Sequence, residues 1–410
     1  MRVLLSDGSG VTSRQVALLL GHAGHEVEVF GAVGGPAQVR PAPNVARAHP
    51  APAFAADPWG WLDALETTVR AEGHDVVVPF GAHAAVVSRS GGDTGALKGR
   101  IAVPRYRALE RVLDKVSAAA TLTEIGLPQP EALVVRSAEA LRQAADPPLY
   151  VKRPVGAPAP RIRLREELLR LADELDAEGA FADRGRVLLQ HPAQGPMVTA
   201  QSVFDNGRLV AVHAYRHLTP GGTARQGLAL PLINEHITLL GAHIGWHGAL
   251  SMDGILTADG PVWIGVDPYL TDPTNAARSG VDLVGALLGV ARGDAPAAQK
   301  PGEPDVHTHQ FAGALREAAA SGRLAVLREL WNVTFRRGAY HHSTEELLSP
   351  LAEPRAIPAF LALCTTLLAA PAWSLARARR TPPAHTLTPS TWHQIRAGAP
   401  PKSLPTPSAT

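Results

Sequence analysis

Apolar and polar positions at the start of the chain follow the pattern of a β-α-β unit. A short apolar run at residues 3–5 leads into a turn that contains Gly8 and Gly10. Apolar residues then recur with helical spacing over 11–20, and a second strand-like run covers 27–30. Because strands that alternate with helices form parallel sheets, the pattern predicts an α/β fold at this end of the chain.

The next segments extend the same predicted sheet. Asp57 is a good N-cap residue, and Pro58 suits the first position of a helix that we expect to run to about Glu72. Residues 75–80 are almost wholly apolar and β-branched, as expected for a strand that is covered on both faces. Residues 1–103 are therefore predicted to form an open α/β domain.

The pattern changes character in the middle of the chain. Short strand-like and helical runs alternate over residues 104–190, which are predicted to form a small α+β lobe. Two hairpins are predicted within 191–295, one turning at 205–207 and one at 259–260, because Asn and Gly tolerate a positive φ. These residues are predicted to form a larger antiparallel lobe.

Beyond the two lobes, residues 296–380 have a helical pattern. Residues 381–410 are rich in Pro, Thr and Ser with few large apolar groups, so we expect them to be disordered. The stretch 357–376 is nearly free of charge and three arginines follow it, which suits a membrane segment. Its prolines favour the alternative, which is a helix packed on the body of the protein.

Composition restricts the class of protein further. The 410 residues are 45% hydrophobic and 19% charged, which is typical of a globular chain with domains of about 100–200 residues. Lys and Arg number 39 against 37 Asp and Glu, without a block of like charge, so no nucleic-acid partner is expected. The single cysteine, Cys364, excludes an internal disulfide and a CxxC-type zinc site. Together with an N-terminus that lacks the pattern of a secretory signal, it predicts a cytoplasmic protein.

Glycines near the N-terminus form an incomplete nucleotide motif. Gly8, Gly10 and Ser13 give G-x-G-x-x-S, one glycine short of the dinucleotide fingerprint, and a structural turn is the favoured interpretation. The motifs GxxxxGK[ST], GxSxG and HExxH are absent from the sequence. Seventeen histidines make close pairs common by chance, so none of them is assigned to a metal.

Two lysines are candidates for phosphate binding. Lys152 ends a strand-like run just before a small-residue loop, 155–160, which contains Gly156. Lys115 opens a predicted helix. A lysine beside such a loop presents a point charge to a phosphate that the loop backbone approaches closely. The alternative for each lysine is a surface salt bridge.

The second predicted hairpin carries two aspartates whose relation depends on its loop. With a three-residue loop, 258–260, Asp253 lies opposite Gly265 and shares a face with Asp267. With a two-residue loop the register shifts by one, and the two carboxylates fall on opposite faces. Facing carboxylates repel unless a cation bridges them, so the three-residue loop predicts a Mg²⁺ site shared with substrate phosphates. The alternative is a pair of solvated aspartates beside a turn.

A family resemblance rests on four segments, which are DKVSAAATLTEIGLPQP, LYVKRP, VLLQHPAQGPMVTAQSVFDNGRLVA, and the stretch from GWHGALSMDGI to NAARSGVDLV. In this order and spacing they resemble the ATP-grasp superfamily, in particular the branch of carbamoyl-phosphate synthase and biotin carboxylase, over residues 1 to about 290. The resemblance implies a fold that combines α/β and α+β parts. These are an N-terminal open parallel α/β domain, a two-lobed ATP-grasp fold and a helical C-terminal extension.

The resemblance also implies ATP and Mg²⁺ as cofactors and a ligase reaction. In such enzymes a substrate carboxylate attacks the γ-phosphate of ATP, and an amine captures the resulting acyl phosphate. Small-molecule carboxylate and amine substrates are therefore the expected partners. The matching residues are Lys115, Lys152 and Gly156 for the phosphates, Leu189, Gln190 and His191 for adenine, Asp253 and Asp267 for Mg²⁺, and Arg216 and Arg278 for the carboxylate or acyl phosphate.

Several of the matching positions depart from the family pattern. Gly265 stands where the family has a metal-binding acid, Asp267 where it has Asn, and Tyr269 where it has Arg. His191 replaces the hinge glutamate, and Met197 replaces the ribose-binding acid. Two functions follow as alternatives. One is an active ATP-dependent carboxylate–amine ligase, and the other is a degenerate ATP-grasp protein that binds a nucleotide or a partner without ligase chemistry.

Overall fold

A four-stranded parallel sheet forms the N-terminal part of the protein in a computed structural model. Its strands are β1 (Arg2–Leu5), β2 (Glu26–Phe30), β3 (Val45–His49) and β4 (Val76–Val78), in the order β3-β2-β1-β4. The helices of this part are α1 (Val11–His22), α2 (Pro58–Glu72) and α3 (His83–Arg89). The structure describes residues 1–31, 44–92, 95–144, 146–156, 159–182, 185–347, 357–371 and 387–399.

The predicted β-α-β unit and the helix after Asp57 are confirmed. The Asp57 carboxylate caps α2 by accepting a hydrogen bond from the Gly60 N–H at 2.8 Å. At the other end of α2, Gly73 adopts a left-handed conformation with a φ of 71°, which closes the helix. Both helix ends thus follow from local signals in the sequence.

A second, antiparallel sheet follows two connecting helices, α4 (Tyr106–Leu113) and α5 (Lys115–Glu124). Its elements are β5 (Ala132–Val135), α6 (Ala138–Arg142), β6 (Leu149–Lys152), β7 (Arg161–Ile162), α7 (Arg165–Ala177) and β8 (Val187–Gln190). The strand order is β5-β8-β6-β7, so β8 lies between two partners. A core of its own packs α6 and α7 against this sheet.

The third sheet is the largest and holds both predicted hairpins. Its seven strands are β9 (Met197–Asp205), β10 (Arg208–His217), β11 (Ala224–Leu228), β12 (Gly248–Thr257), β13 (Gly260–Asp267), β14 (His307–His309) and β15 (Thr344–Glu345). They are ordered β13-β12-β9-β10-β11-β14-β15. One face packs against α8 (Pro231–Ile244), and the other packs against α10 (Leu283–Arg292), which follows the short α9 (Thr274–Arg278).

Three further helices form a separate small core near the C-terminus. They are α11 (Phe311–Ala319), α12 (Arg323–Thr334) and α13 (Ile357–Ala369), and they bury Leu315, Val326 and Leu367 among them. Among the described residues, no helix combines the length and the apolar character needed to span a bilayer. The helix within the predicted stretch 357–376 ends at Ala369, and residues 372–376 lie outside the described ranges.

The prediction of a disordered tail over 381–410 is wrong for residues 387–399. This segment forms a helix, α14 (Pro389–Ala397), capped by Thr388, whose hydroxyl accepts from the Thr391 N–H at 3.1 Å. Trp392 and Ile395 are buried in the large core that also contains α2 and α4. A few apolar residues at helical spacing therefore suffice to order this segment. Residues 381–386 and 400–410 lie outside the described ranges.

Candidate functional site

Asp253 and Asp267 lie on one face of the β12–β13 hairpin, as predicted, but the backbone reaches that register by another route. The turn closes between Thr257 and Gly260, so the loop holds two residues, the length for which the two acids are expected on opposite faces. A β-bulge at Ile264 then adds one residue to β13 and shifts the register back by one. The bulge, rather than the loop, brings the two acids onto one face.

Lys152 projects from the end of β6 onto this bulge. Its ammonium group donates to the Gln190 side-chain oxygen and to the Ile264 carbonyl, each at 2.6 Å. The residue is 8% exposed, so it is buried with uncharged acceptors and does not form the surface salt bridge of the alternative interpretation. Burial, and then the charge of Lys115, lowers the pKa of Lys152 to about 8, while Asp253 opposes the shift.

Lys115 approaches the same place from α5. Asp114 caps this helix by accepting from the Val116 and Ser117 N–H groups at 2.8 and 3.0 Å. The Lys115 ammonium group lies 3.4 Å from the Gly156 carbonyl oxygen, so it contacts the small-residue loop. Burial lowers the pKa of Lys115, and the charge of Asp267 acts in the opposite direction. The structure thus brings both predicted lysines and both predicted acids into one electrostatic neighbourhood.

The two acids resist ionising together. Burial, and then the charge of Asp267, raises the pKa of Asp253 to about 7, although Thr199 donates a hydrogen bond to its Oδ1 at 2.7 Å. Burial also raises the pKa of Asp267, while Tyr269 and Lys115 act to lower it. A divalent cation between the carboxylates would relieve this repulsion, and oxygen ligands of this kind suit Mg²⁺. The donor set therefore fits the predicted ion.

Two departures from the family pattern have a visible structural result. The Tyr269 hydroxyl is hydrogen-bonded to Asp267, whose charge, with burial, raises the pKa of Tyr269 well above its ordinary value. Gly265 leaves open space beside the acids, because a Cβ placed there would meet only the Asp253 Cβ at 3.9 Å. The position at which the family resemblance implies a third carboxylate is thus open.

The hydroxyl of Thr199 links the acid pair to a histidine. Since Thr199 donates to Asp253, its oxygen is left to accept from His217, whose Nε2 lies 3.2 Å away. Burial, and then the charge of Arg225, lowers the pKa of His217 to about 4, so the imidazole is neutral at pH 7. Asp253 is therefore held in place by a neutral hydrogen-bonded pair on β9 and β10.

Arg216 does not join the acid pair. In the ladder its partner on β9 is Val198, whereas Asp253 pairs with Thr199, one residue further along. Successive side chains point to opposite faces of a sheet, so Arg216 faces away from the acids. The contact with a carboxylate or acyl phosphate stays a prediction for this residue. Its Nε donates instead to the Gln226 side chain at 2.6 Å.

Arg278 ends α9 and is exposed. Nothing in its surroundings tests the predicted contact with a carboxylate, which stays a prediction. The neighbouring Asn275 is buried and accepts from His213 at 2.7 Å, so α9 is attached to the large sheet beside the acid-bearing face.

Arg225 is a buried arginine that the sequence analysis missed. Its side chain lies over the Tyr215 ring, 5.3 Å from the centroid, on the same face of the sheet as Thr199. It pairs with Asp272 at 2.6 Å and with Glu346. Burial alone would lower the pKa of Arg225, but these two acids hold it above its ordinary value.

The same ion-paired group extends across elements that are far apart in sequence. Gln15 of α1 donates to Glu346 at 2.9 Å and to Asp272 at 3.2 Å, and Gln310 donates to both acids as well. Both outer nitrogens of Arg225 are engaged, so the arginine fixes the fold around the site and is not a free carboxylate clamp. No local pattern marks this group, because its charged members are separated by tens of residues.

The strand β8 is predicted to bind adenine through its backbone. Part of that backbone is already hydrogen-bonded to other groups of the protein. Leu189 lies in the middle of β8 and pairs with both β5 and β6. The Gln190 side chain accepts from Lys152, and the His191 N–H donates to the Glu131 carbonyl at 2.9 Å. The His191 N–H is thus occupied, and the adenine role of these three residues stays a prediction.

The N-terminal glycine turn has the structural role favoured from the sequence. The Asp7 carboxylate accepts hydrogen bonds from the backbone N–H groups of Ser9 and Gly10, each at 3.1 Å. These are the amides that a bound phosphate would need. An internal carboxylate therefore occupies the position of the anion in this turn.

A second cluster of acid and histidine lies in the N-terminal part. Among the described residues, Glu28, His49 and His74 are the group of three whose ligand atoms lie close enough to hold a metal ion. Both histidines contact Glu28 Oε2, and Arg2 contacts Oε1. Burial would raise the pKa of Glu28, but these hydrogen bonds outweigh it and lower the pKa to about 2. Both oxygens of the buried Glu28 carboxylate are thus already engaged by protein groups.

Three solved structures show what this architecture resembles. The biotin carboxylase domain of 2-oxoglutarate carboxylase from Hydrogenobacter thermophilus is 16% identical, with a TM-score of 0.58 over 75% of this chain and 73% of that one. Phosphoribosylamine–glycine ligase from Thermotoga maritima is 18% identical, with a TM-score of 0.55 over 75% and 78%. L-amino acid ligase from Bacillus licheniformis is 16% identical, with a TM-score of 0.54 over 71% and 74%.

These structures are ATP-grasp proteins. The chain has the ATP-grasp fold. Neither a family model nor a curated protein sequence matches it. The ATP-grasp resemblance inferred from the four sequence segments is thereby confirmed at the level of the fold. The degenerate metal site and the domain boundaries stay predictions.

Proposed function

We propose that this protein binds ATP with Mg²⁺ between its two lobes and joins a carboxylate to an amine. The observation that carries the proposal is the convergence of Lys115, Lys152, Asp253 and Asp267 from four elements of two different sheets and a helix. Charges of both signs that are buried or half-buried and perturb one another are characteristic of functional sites. A structural neighbour, the biotin carboxylase domain, was solved with MgADP and bicarbonate, and two other neighbours are ligases by name.

Each charged residue has a defined part in this proposal. Lys115 and Lys152 supply point charges to the phosphates, and Asp253 with Asp267 would hold Mg²⁺, which offsets the negative charge of the phosphate groups. The tether from Lys152 to Gln190 and the Ile264 carbonyl fixes its ammonium group before ATP arrives. Such prior positioning is the main contribution of a protein to phosphoryl transfer.

The proposed reaction proceeds in two steps. A carboxylate oxygen of the first substrate attacks the γ-phosphorus, the bond to the β-phosphate oxygen breaks, and ADP leaves. The amine of the second substrate then attacks the acyl carbon of the acyl phosphate, loses a proton and releases phosphate. The identity of both substrates is open within these chemical classes.

A second candidate function is nucleotide or partner binding without ligase chemistry. It is supported by Gly265, which removes one carboxylate, and by the hydrogen bond between Tyr269 and Asp267. Tyr269 stands where the family pattern has an arginine, and it is hydrogen-bonded to Asp267. A carboxylate that is engaged in this way binds a phosphate-bound cation more weakly. The two candidates differ in turnover, and the second also allows a binding partner in place of the nucleotide.

An ADP-release assay against pools of carboxylates and amines tests the proposal. We expect Lys152→Ala to lower ADP release by roughly 100- to 1,000-fold, as for the loss of a group that stabilises charge in the transition state. Arg153→Ala is the matched control, since Arg153 follows Lys152 in the sequence, is half-exposed and pairs with Glu178. ATP binding without turnover in any pool would favour the second candidate. Absence of ATP binding would refute the ligase and leave only partner binding from the second candidate.

A further inference from the structure

A buried contact joins the C-terminal segment 387–399 to the loop that follows β6. Gly156 has a φ of 98°, and a Cβ placed on it would lie 3.5 Å from the Leu387 carbonyl oxygen and 3.7 Å from Pro389 Cδ. Val155 and Leu387 are 5% and 8% exposed and belong to one apolar cluster. The first residues of the loop are thus packed against the C-terminal segment.

The same stretch of loop is bonded to the lysine of α5. The Gly156 carbonyl accepts from the Lys115 ammonium group at 3.4 Å, and the Pro154 carbonyl accepts from the Lys115 N–H at 2.8 Å. Loop residues 154–156 therefore lie between Lys115 on one side and Leu387 on the other. A change in the position of Leu387 would reach the lysine through two consecutive loop residues.

The C-terminal segment is fixed to the N-terminal part of the protein rather than to the small lobe. The Thr391 hydroxyl donates to the Ala55 carbonyl at 3.0 Å, and the Trp59 indole donates to the Gln394 carbonyl at 3.2 Å. Arg89 donates to the carbonyl of Ile395 at 3.3 Å, near the C-terminal end of α14. The contact at Gly156 therefore connects the loop after β6 with the helices of the N-terminal part of the protein.

We propose that residues 387–389 are a positioning element of the nucleotide site, which holds the loop at Gly156 beside Lys115 before ATP binds. The link to ATP rests on the proposed function, whereas the contact itself does not. A loop that is ordered in advance loses less conformational entropy when a ligand binds. The C-terminal segment therefore keeps residues 154–156 in place and slows the release of ATP.

Hydrogen exchange of the full-length protein without nucleotide tests the contact directly. In Leu387→Ala the backbone amides of Arg153, Val155 and Gly156 should exchange roughly tenfold faster, because a buried side chain that holds the loop is truncated. Leu387→Met, which keeps the side-chain volume, should restore the slow exchange. Leu367→Ala is the matched control, because it removes a buried leucine from the separate core of α11 to α13.

A second variant tests the same contact in case Leu387→Ala does not fold. Thr388→Ala removes the cap of α14 without touching the core, and it should also speed exchange in the loop. Dissociation of a fluorescent ATP analogue should become a few-fold faster in both variants. Unchanged loop exchange in both would overturn the inference even if ATP binds. Faster exchange in a protein that binds no ATP would support the contact and refute the proposed function.

Discussion

Replacing Asp253 with Asn should stabilise the protein when Mg²⁺ is absent and remove its response to Mg²⁺. Burial and the charge of Asp267 raise the pKa of Asp253 from an ordinary 3.8 to about 7. Between these values the folded protein binds more protons than the unfolded chain, so its stability falls as the pH rises through this window. A pKa difference of this size corresponds to about 4 kcal/mol once the pH exceeds the higher value.

Asparagine keeps the shape of the side chain and can still accept the hydrogen bond from Thr199, but it carries no charge. Urea unfolding in EDTA at about pH 8 should therefore show Asp253→Asn to be more stable than the natural protein by up to about 4 kcal/mol. At about pH 5 the gain should fall to less than half of that value. Asp259→Asn is the matched control, because Asp259 is exposed at the tip of the same hairpin.

Addition of Mg²⁺ completes the experiment. The ion should stabilise the natural protein, because it binds the folded state and not the unfolded one, and it should have little effect on Asp253→Asn. Equal stability of the two proteins at pH 8 would refute the claim that the acids repel each other. Equal stabilisation of both by Mg²⁺ would refute the assignment of Asp253 as a ligand.

Two further predictions concern Gly265, which lies beside the acid pair, and Glu28, which is buried in the N-terminal part of the protein. Gly265→Glu should raise the affinity for ATP in the presence of Mg²⁺ by about tenfold, because the position accepts a Cβ without a clash and the new side chain supplies a third carboxylate beside the acid pair. Calorimetry would measure the affinity, with Gly265→Gln as the uncharged control. Equal affinities of the two variants would contradict the idea of an acid-poor metal site. Glu28→Gln should lower stability at pH 7 by about 3 kcal/mol, since the pKa of Glu28 is depressed from 4.5 to about 2 and its stabilising charge is present only above that window. Urea unfolding at decreasing pH should show the difference shrinking below about pH 4.5, and a difference that stays constant with pH would contradict this origin.

Much of the fold could be predicted from the sequence because its signals are local. Asp57 before Pro58, Asp114 before the helix of Lys115, and the Asp-Asn-Gly turn between β9 and β10 each act within a few residues. The structure confirms the predicted helix after Asp57 and the predicted turn between β9 and β10, and it shows Asp114 as the cap of the helix of Lys115. Signals of this kind identify the elements that bring the lysines and acids together, and the order of the elements then indicates the ATP-grasp fold.

The features that could not be predicted depend on distant contacts. Arg225, Asp272 and Glu346 form one ion-paired group only because β11 and the segments after β13 and β14 meet in space. The bulge at Ile264 could not be predicted either, because a three-residue loop without a bulge would place the two acids on the same face. The α14 helix did have a local signal, Thr388 before Pro389, but the polar composition of the surrounding tail outweighed it.

The bulge at Ile264 produces two properties of the site, which are the shared face of Asp253 and Asp267 and the tether of Lys152. The spacing of the two acids in the sequence is related only to the first. A hairpin with a three-residue turn and no bulge would carry the same acids, at the same spacing and on the same face. It would lack the displaced carbonyl that holds Lys152. Moving one residue from the strand into the turn would therefore release Lys152 from this carbonyl without altering any charged group. Relatives with identical motifs can thus differ in how firmly the lysine is held.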